Sequence, residues 1–445
     1  MTGPSGYLWA IRFRPLMLRR SPRLDPSLVC LLAAFLAPEA RAQAAPLVLD
    51  PGTAAVFQRL APAVLRLEVQ ESQSKAKVSV GSGFYATPNG RIVTNYHVVS
   101  RLVHEPARHV VRTTIDGELR DLTLLAIDAV NDLAILGGGS LTPQAVLAPT
   151  PLSLAKGTRV LALGHPRDLG LSVVEGTHNG AVQHAAVPRL HYTGPINPGM
   201  SGGPAVTEAG ELVGVNVATF GEEVAFLVPS DPVAALLERA PGAPPPAQQL
   251  RADIANQLGE LAKARLTALF ASDGPTAVLD GFRVPTGSDT TFRCWGDTER
   301  PADKRYEVLR HSCDTDGTTL ISETLRAGLA RFEHAVVRGA LSPLRLLTAL
   351  EEVYNNQTPF DGTAREVTSF RCRDANVRAT KLAWRTRLCV RRFRHMPDTY
   401  EAMLRAVAPG PGRSGMITSL LLSGVPFELI DSLAPRYLAA IEVAQ

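Results

Sequence analysis

Between Ala54 and about Leu237 the sequence consists of short apolar runs separated by Gly, Pro, Asn and Asp. Runs of about four to eight residues that are rich in Val, Ile and Leu are typical of strands. The clearest examples are AVLRLEV (63–69), RIVTNYHVV (91–99), LTLLAI (122–127), DLAIL (132–136), RVLALG (159–164) and ELVGVNVA (211–218). Many short strands with turn residues between them predict a barrel or a sandwich, so this region is expected to be mainly β.

After these runs the sequence predicts one helix and then a break. Residues 231–240, DPVAALLERA, are typical of a closing helix. The stretch PGAPPP at 241–246 cannot continue that helix, because proline lacks a backbone N–H donor. We therefore predict a first domain at 54–238, a Pro-rich linker at 239–249 and a second domain at 250–445. A length of 445 residues, with 45% hydrophobic and 20% charged residues, fits about two to three globular domains.

The second domain is predicted to be α+β. Apolar residues at helical spacing in 252–270, 344–353 and 426–441 predict helices, and strand-like pieces lie between them. No motif in residues 250–445 indicates a chemistry, so the sequence leaves the role of this domain open.

The first 44 residues are predicted to be a secretory signal peptide. Residues 11–23 contain five arginines and no acidic residue, and the apolar stretch LVCLLAAFLAP follows at 28–38. Small-x-small sites at 40–42 and 42–44 complete the three parts of such a signal. A short buried helix is the alternative interpretation. The expected location is the bacterial periplasm or the extracellular space.

Export favours disulfides for the four cysteines of the second domain, since thiols pair in oxidising compartments. Four cysteines allow three pairings. The segments TFRC at 291–294 and SFRC at 369–372 resemble each other, and a second cysteine follows each one after 19 and 17 positions. This echo favours Cys294–Cys313 and Cys372–Cys389, with chance similarity as the alternative.

Composition and spacing exclude several function classes. The formal charge of +4 gives no reason to expect a nucleic-acid partner. No apolar run reaches the roughly 18–20 residues of a membrane-spanning helix, so we expect no integral membrane segment in the mature chain. No C-x-x-C pair supports a zinc cluster, and no metal or organic cofactor is predicted.

The second domain contains one strongly basic stretch. Residues 371–394 hold nine basic residues, which fit either a patch for an acidic polymer or membrane headgroups, or a solvated hairpin face. The hairpin face is the favoured interpretation. The nine residues are Arg371, Arg373, Arg378, Lys381, Arg385, Arg387, Arg391, Arg392 and Arg394.

Three segments of the first domain contain the residue types that serine-dependent amide hydrolysis needs. They are GSGFYATPNGRIVTNYHVV (81–99) with His97, NDLAIL (131–136) with Asp132, and INPGMSGGPAV (196–206) with Ser201. The reaction requires a base for the hydroxyl proton, a carboxylate that orients the base, and donors for the oxyanion. Glycines around Ser201 allow a sharp turn, so that the N–H groups of Gly199 and Ser201 can converge on one point.

These segments resemble the trypsin-like serine proteases of the Deg/HtrA-type branch, over about residues 54–238. The matching motifs are G-S-G-F (81–84), T-N-x-H-V (94–98), D-L-A (132–134) and N-P-G-x-S-G-G-P (197–204). The resemblance implies two perpendicular six-stranded barrels with the active site between them. It also implies that His97 is the general base, that Asp132 orients it, and that Ser201 is the nucleophile. Gly199 and Ser201 would supply the oxyanion N–H groups.

Two features depart from that family. Met200 stands where the Deg/HtrA branch usually has Asn and trypsin has Asp. Because the backbone forms the oxyanion hole, we expect activity to survive this change. No PDZ-like domain is evident after the barrels, so the resemblance leaves the regulation and the oligomeric state of this chain open.

Other residues compete for the same roles. Asp121 and Asp128 rival Asp132, which is preferred because it directly precedes the apolar run LAIL. His104, Glu105 and His109 are spaced one residue too far apart for the metalloprotease motif H-E-x-x-H, and Pro106 breaks the helix which that motif needs. His165 is interpreted as structural.

The resemblance also places the specificity pocket about six residues before the nucleophile, at Pro195 and Ile196, facing Asn216, Val217 and Ala218. Since no acidic residue lies there, cleavage is predicted after small or medium apolar residues, not after Arg or Lys. The predicted function is an exported serine endopeptidase that acts on protein or peptide substrates. The alternatives are a catalytically idle barrel that binds peptides or polymers, and a protease with one dedicated target.

Overall fold

The structure, a computed structural model, describes residues 51–445 except residues 140, 168, 184, 186, 220–223, 272, 288–290, 303, 316, 355–359 and 445. The predicted signal peptide at 1–44 lies outside the described residues. None of the described helices is both long enough and apolar enough to cross a membrane.

Six strands of the first half close into a barrel, as the short apolar runs predict. Its elements are α1 (Pro51–Leu60), β1 (Val64–Glu71), β2 (Lys77–Tyr85), β3 (Ile92–Thr94), α2 (Tyr96–His104), β4 (His109–Ile115), β5 (Glu118–Asp128) and β6 (Leu133–Gly137). The strands are hydrogen-bonded in the order β1-β2-β3-β6-β5-β4. Leu67, Val69 and Ile92 are fully buried, because alternate residues of a strand face the same side.

The prediction that residues 91–99 form one strand is wrong in its second half. β3 ends at Thr94, and α2 begins at Tyr96. Tyr96, Val99 and Val103 recur every three to four residues and are all fully buried, which is the periodicity of a helix. Asn95 precedes the helix in extended conformation, a position where Asn is favoured.

Six further strands close into a second barrel, which confirms the predicted double-barrel fold. Its elements are β7 (Arg159–Gly164), β8 (Ser172–Ala181), β9 (Leu190–Thr193), β10 (Pro204–Val206), β11 (Leu212–Thr219), β12 (Ala225–Pro229) and α3 (Ser230–Arg239). The strand order is β10-β11-β12-β9-β8-β7. The closing helix predicted at 231–240 corresponds to α3. We refer to residues 54–238 as the barrel region.

The C-terminal region, residues 250–445, is α+β and contains a seven-stranded antiparallel sheet. The elements after α3 are α4 (Ala247–Leu266), β13 (Thr276–Leu279), β14 (Phe282–Pro285), β15 (Phe292–Glu299), β16 (Tyr306–Thr315), β17 (Thr319–Ser322), β18 (Leu325–Ala327), β19 (Ala330–Gly339), α5 (Pro343–Tyr354), β20 (Arg371–Ala379), β21 (Leu382–Arg392), β22 (Tyr400–Pro409), β23 (Ser414–Val425), α6 (Phe427–Ala439) and β24 (Glu442–Val443). The large sheet has the order β15-β16-β19-β23-β22-β21-β20.

The four cysteines form two disulfides, one at each edge of this sheet. Cys294 on β15 lies directly opposite Cys313 on β16, with an S–S distance of 2.04 Å. Cys372 on β20 lies opposite Cys389 on β21, with an S–S distance of 2.02 Å. The two similar sequence segments are therefore two disulfide-closed hairpins at opposite edges of the sheet.

Most of the basic stretch at 371–394 lies on the second of these hairpins. Eight of the nine residues of β20 are exposed. Arg387 pairs with Asp374 across the hairpin at 2.7 Å, and Arg391 pairs with the buried Glu401. The stretch is thus largely a solvent-facing hairpin with some internal ion pairs.

The barrel region and the C-terminal region share one hydrophobic cluster. Leu250, Ile254 and Leu258 of α4 are buried together with Val99 and Val103 of α2. The proline-rich stretch therefore leads into a helix that packs back on the first barrel. Residues 51–445 belong to one compact unit.

Candidate active site

His97 and Asp132 are brought together at the first barrel. His97 lies in the first turn of α2, and Asp132 lies in the turn between β5 and β6. The Nδ1 atom of His97 is 2.7 Å from Oδ2 of Asp132, and the backbone N–H of His97 donates to Oδ1 at 2.8 Å. Both carboxylate oxygens are therefore occupied by one residue, which fixes the orientation of the imidazole ring.

The backbone of Asp132 has an unusual conformation. Its φ angle is +61°, in the left-handed region that Asp and Asn tolerate better than other residues with a side chain. The side-chain amide of Asn95 donates to the carbonyl of Asp132 at 2.8 Å. The residue just before α2 thus holds the turn that directs the carboxylate towards His97.

The rival carboxylates lie elsewhere. Asp121 is exposed and pairs with Arg112 at 2.6 Å. Asp128 accepts from the backbone N–H of Asn131 at 3.0 Å and pairs with Arg239 at 3.1 Å. Neither carboxylate is bonded to His97 in the structure.

Ser201 follows a tight turn formed by residues 197–200. The N–H of Met200 donates to the carbonyl of Asn197 at 3.0 Å, and Gly199 has a φ of +98°. Proline at the second position and a positive-φ glycine at the third are the signature of a type II turn. A Cβ atom on Gly199 would lie 2.5 Å from the carbonyl oxygen of His165, so no larger residue fits.

This turn leaves two N–H groups available beside Ser201. The carbonyl of Pro198 accepts from the N–H of Arg167 at 2.9 Å. The C=O and N–H of a trans peptide point in opposite directions, so the N–H of Gly199 points away from Arg167. Within the described part of the chain, the N–H groups of Gly199 and Ser201 have no acceptor.

Ser82 ties this loop to the first barrel, a role that the sequence did not reveal. Its N–H donates to the carbonyl of Ser201 at 2.8 Å, and its hydroxyl donates to the carbonyl of Gly199 at 2.7 Å. The same hydroxyl accepts from the N–H of His165 at 2.8 Å. Gly202 must lack a side chain here, since a Cβ atom would lie 2.2 Å from the carbonyl of Ser82. The only sequence signal was the position of Ser82 within G-S-G-F.

The residues predicted to form the specificity pocket lie on two segments of the second barrel, the connection between β9 and β10 and the strand β11. Pro195 is exposed, whereas Ile196 is buried against Met200 in the core of the second barrel. Val217 belongs to a different hydrophobic cluster, and the amide of Asn216 donates to the carbonyl of Leu163 at 3.0 Å. Ala218 is placed by its backbone, which pairs with Phe226 on β12.

Sequence comparison adds an independent observation. Residues 81–215 match the family described as trypsin-like peptidase domain. The barrel region is a trypsin-like serine protease domain of the Deg/HtrA type. "Serine protease HTRA1B" of Danio rerio is 29% identical over 195 residues, covering 40% of this chain and 39% of that protein. "Serine protease HTRA2, mitochondrial" of Bos taurus is 31% identical over 201 residues, covering 41% of this chain and 42% of that protein.

A solved structure, described as that of the serine endoprotease from Yersinia pestis, is 27% identical to this chain with a TM-score of 0.38. The match covers 43% of this chain and 67% of the chain in that structure. The chain spans about two fifths of the length of the curated relatives just described. The barrel region is called the protease domain from here on.

The C-terminal region contacts the protease domain at the helix that carries His97. The hydroxyl of Tyr96 is fully buried and donates to the carbonyl of Ile321 on β17 at 2.6 Å. One turn further along α2, the guanidinium of Arg101 donates to the carboxylate of Glu323 at 2.6 Å. The short hairpin β17–β18 therefore supports α2 from outside the protease domain.

A second contact from the C-terminal region supports the turn before Asp132. The side-chain oxygen of Gln257 on α4 accepts from the N–H of Ala129 at 2.8 Å, and its NH₂ group donates to the carbonyl of Ile127 at 2.9 Å. One amide side chain thus satisfies two backbone groups, one at the end of β5 and one in the β5–β6 turn. Both members of the His–Asp pair are braced by residues beyond position 250.

The environment of His97 favours its protonated form. Burial alone lowers the pKa of His97, but the negative charge of Asp132 and the hydrogen bond to its carboxylate outweigh this and leave the pKa raised. The side chain of His97 is 31% exposed, so its other nitrogen remains accessible. A raised pKa makes the imidazole a stronger base, which suits the removal of a hydroxyl proton.

Proposed function

We propose that this chain is an exported serine endopeptidase in which His97, Asp132 and Ser201 form the catalytic triad. The observation that carries the proposal is the His97–Asp132 pair at 2.7 Å, together with two N–H groups beside Ser201 that have no acceptor among the described residues. The membership of the domain in a family of serine proteases supports the same chemistry.

The proposed reaction proceeds through an acyl-enzyme. The Nε2 atom of His97 removes the hydroxyl proton as Oγ of Ser201 attacks the peptide carbonyl carbon. The N–H groups of Gly199 and Ser201 stabilise the negative oxygen of the tetrahedral intermediate. His97 then gives the proton to the leaving amine, and the C–N bond breaks. In the second half a water molecule, deprotonated by His97, hydrolyses the ester and releases Ser201.

The proposed preference is for small or medium apolar residues before the scissile bond. It is supported by the absence of a carboxylate in residues 193–196, since a substrate cation buried there would lack a partner. Because Ile196 packs in the core, the pocket would be shallow. One methylene group changes selection by only about 1–3 kcal/mol, so discrimination among Val, Ala and Ile should be weak.

A fluorophosphonate probe tests the activity directly. We expect the probe to label the protein at Ser201 and not to label Ser201→Ala. A peptide-library digest read by mass spectrometry, with Ser201→Ala as the blank, is expected to show cleavage after apolar residues. Absence of labelling would favour the idle, peptide-binding barrel. Predominant cleavage after Arg or Lys would contradict the proposed pocket while leaving the triad intact.

Export is the second part of the proposal. It is supported by the predicted signal at residues 1–44 and by the two disulfides, which form in oxidising compartments. We expect the protein recovered from the periplasm or medium of a bacterial host to begin after Ala42 or Ala44. Intact mass measurement of the recovered protein checks this. A cytoplasmic protein that retains the first 44 residues would contradict export.

A further inference from the structure

A cavity of about 370 Å³ lies between the protease domain and the C-terminal region. Its protease side includes Val130, Val187 and Phe226, and its other side includes Leu261 of α4 together with residues around β17. A cavity of this size falls within the range of small-ligand sites. Both regions contribute to its walls, so neither forms it alone.

The cavity adjoins the proposed catalytic site. Val130 lies two residues before Asp132 in the same turn. Phe226 pairs across the sheet with Ala218, which belongs to the predicted specificity pocket, and with His191 on β9. A peptide bound for cleavage at Ser201 would therefore pass close to the opening of this cavity.

The apolar walls also carry positive charge. Three arginines, Arg189, Arg265 and Arg293, are among the residues that line the cavity. Arg189 donates to the carbonyl of Pro188 at 3.0 Å, and no ion pair to Arg189 or Arg265 forms within the described ranges. Burial lowers the pKa of both guanidinium groups, although Asp132 and Asp128 act in the opposite direction on Arg189.

Arg189 and Arg265 are half-buried and form no ion pair among the described residues, which indicates what the cavity can bind. An apolar side chain that filled the space would remove water from Arg189 and Arg265 and return no hydrogen bonds. A carboxylate can instead accept two parallel N–H donors from one guanidinium. The walls formed by Val187, Phe226 and Leu261 would contact the methylene groups that carry such a carboxylate.

We propose that this cavity binds the acidic side chain of an aspartate or glutamate in a peptide substrate, close to the bond that is cleaved. The inference rests on the proposed function, because it requires a peptide to lie across the active site. It makes the C-terminal region a part of the substrate-binding surface, with Arg265 of α4 as a specificity-determining residue.

The test measures binding, which does not depend on turnover. It uses the full chain with Ser201→Ala and fluorescein-labelled, C-terminally amidated decapeptides with one Val in a background of Ala, Ser and Gly. Glu is placed at one position at a time on either side of Val, and each peptide is compared with its Gln counterpart by fluorescence polarisation. At one position we expect the Glu peptide to bind about tenfold more tightly, as a charge-assisted hydrogen bond would give.

Charge-removing variants connect this preference to the cavity. In Arg265→Met the Glu and Gln peptides should bind within about twofold of each other. Lys263→Met is the matched control, since Lys263 lies on the same helix with its side chain 52% exposed, and it should keep the full preference. Equal affinities at every position in the Ser201→Ala protein, or no binding of any Glu peptide, would overturn the proposal.

Two further outcomes are informative. If the preference for Glu over Gln survives both Arg265→Met and Arg189→Met, another cation binds the Glu carboxylate. That result would overturn the assignment to this cavity. The same peptides are also measured with a free C-terminal carboxylate. If Arg265-dependent binding needs that carboxylate and an internal Glu has no effect, the cavity receives a chain end, which also contradicts the proposal. Failure of fluorophosphonate labelling would reject the proposed activity but would leave these binding results interpretable.

Discussion

Ser201→Ala, His97→Ala and Asp132→Asn are each expected to lower kcat for peptide hydrolysis by about 10⁴-fold or more. The losses should be far from additive, because the three groups of the proposed triad would act as one proton-transfer unit. The measurement is kcat on a peptide that the unaltered protein cleaves, with circular dichroism as the check on folding. Full activity in Asp132→Asn would mean that a different carboxylate orients His97.

The backbone of Asp132 makes asparagine the informative replacement. Asn tolerates the φ of +61° as Asp does, so Asp132→Asn removes the charge with little added strain. Alanine would change both properties at once. Asp121→Asn is the matched control, since Asp121 is exposed and pairs with Arg112 away from His97. We expect turnover of Asp121→Asn to be unchanged.

The pH profile separates the charge of Asp132 from its structural role. Since only neutral His97 can accept a proton, kcat/KM should fall as pH drops through the raised pKa of His97, above the ordinary value of about 6.5. In Asp132→Asn burial remains without the carboxylate, so the acidic limb of the residual activity should move to lower pH. The stability gained from protonated His97 is fully present below about pH 6.5 and is lost as pH rises through the folded-state pKa. If the acidic limb of the pH profile does not move in Asp132→Asn, the group that titrates there is not His97.

The parts that sequence could predict are those with a local signal. The strands of both barrels follow from apolar runs a few residues long, and the residue types around His97, Asp132 and Ser201 are defined by adjacent motifs. The start of α2 was missed because residues 91–99 are rich in β-branched and aromatic residues, which favour strands. Only the packing of Tyr96, Val99 and Val103 on one face distinguishes helix from strand.

The contacts from the C-terminal region that hold the candidate site in place have no such local signal in the sequence. Tyr96 and Ile321 are 225 positions apart, and Gln257 reaches a turn about 130 positions away. Each is one polar contact between distant segments, which neither periodicity nor spacing can reveal. The specificity pocket stays a prediction, and sequence could not show that Ile196 and Val217 are buried in two separate cores.

A chain that ends at residue 246 is expected to be too unstable to fold, although the sequence places a domain boundary at 239–249. The truncation removes Leu250, Ile254 and Leu258 from the core that they share with α2. Deleting a single buried Leu or Ile side chain typically costs about 2–5 kcal/mol, and the whole stability of a domain is only about 5–15 kcal/mol. The loss of three such residues is therefore comparable to the total.

Thermal unfolding, followed by circular dichroism, compares the stability of residues 51–246 with that of residues 51–445. Two point variants on α4 then test whether its buried face accounts for the difference. Ile254→Ala, at a fully buried position of α4, should destabilise the longer chain by about 2–5 kcal/mol. Lys263→Ala, on the exposed face of the same helix, should stay within about 0.5 kcal/mol of the unaltered protein. If residues 51–246 unfold cooperatively at the same temperature as the longer chain, the shared core contributes little. The protease domain would then fold independently, and the contacts of Tyr96 and Gln257 with their partners would position the proposed catalytic residues without holding the domain together.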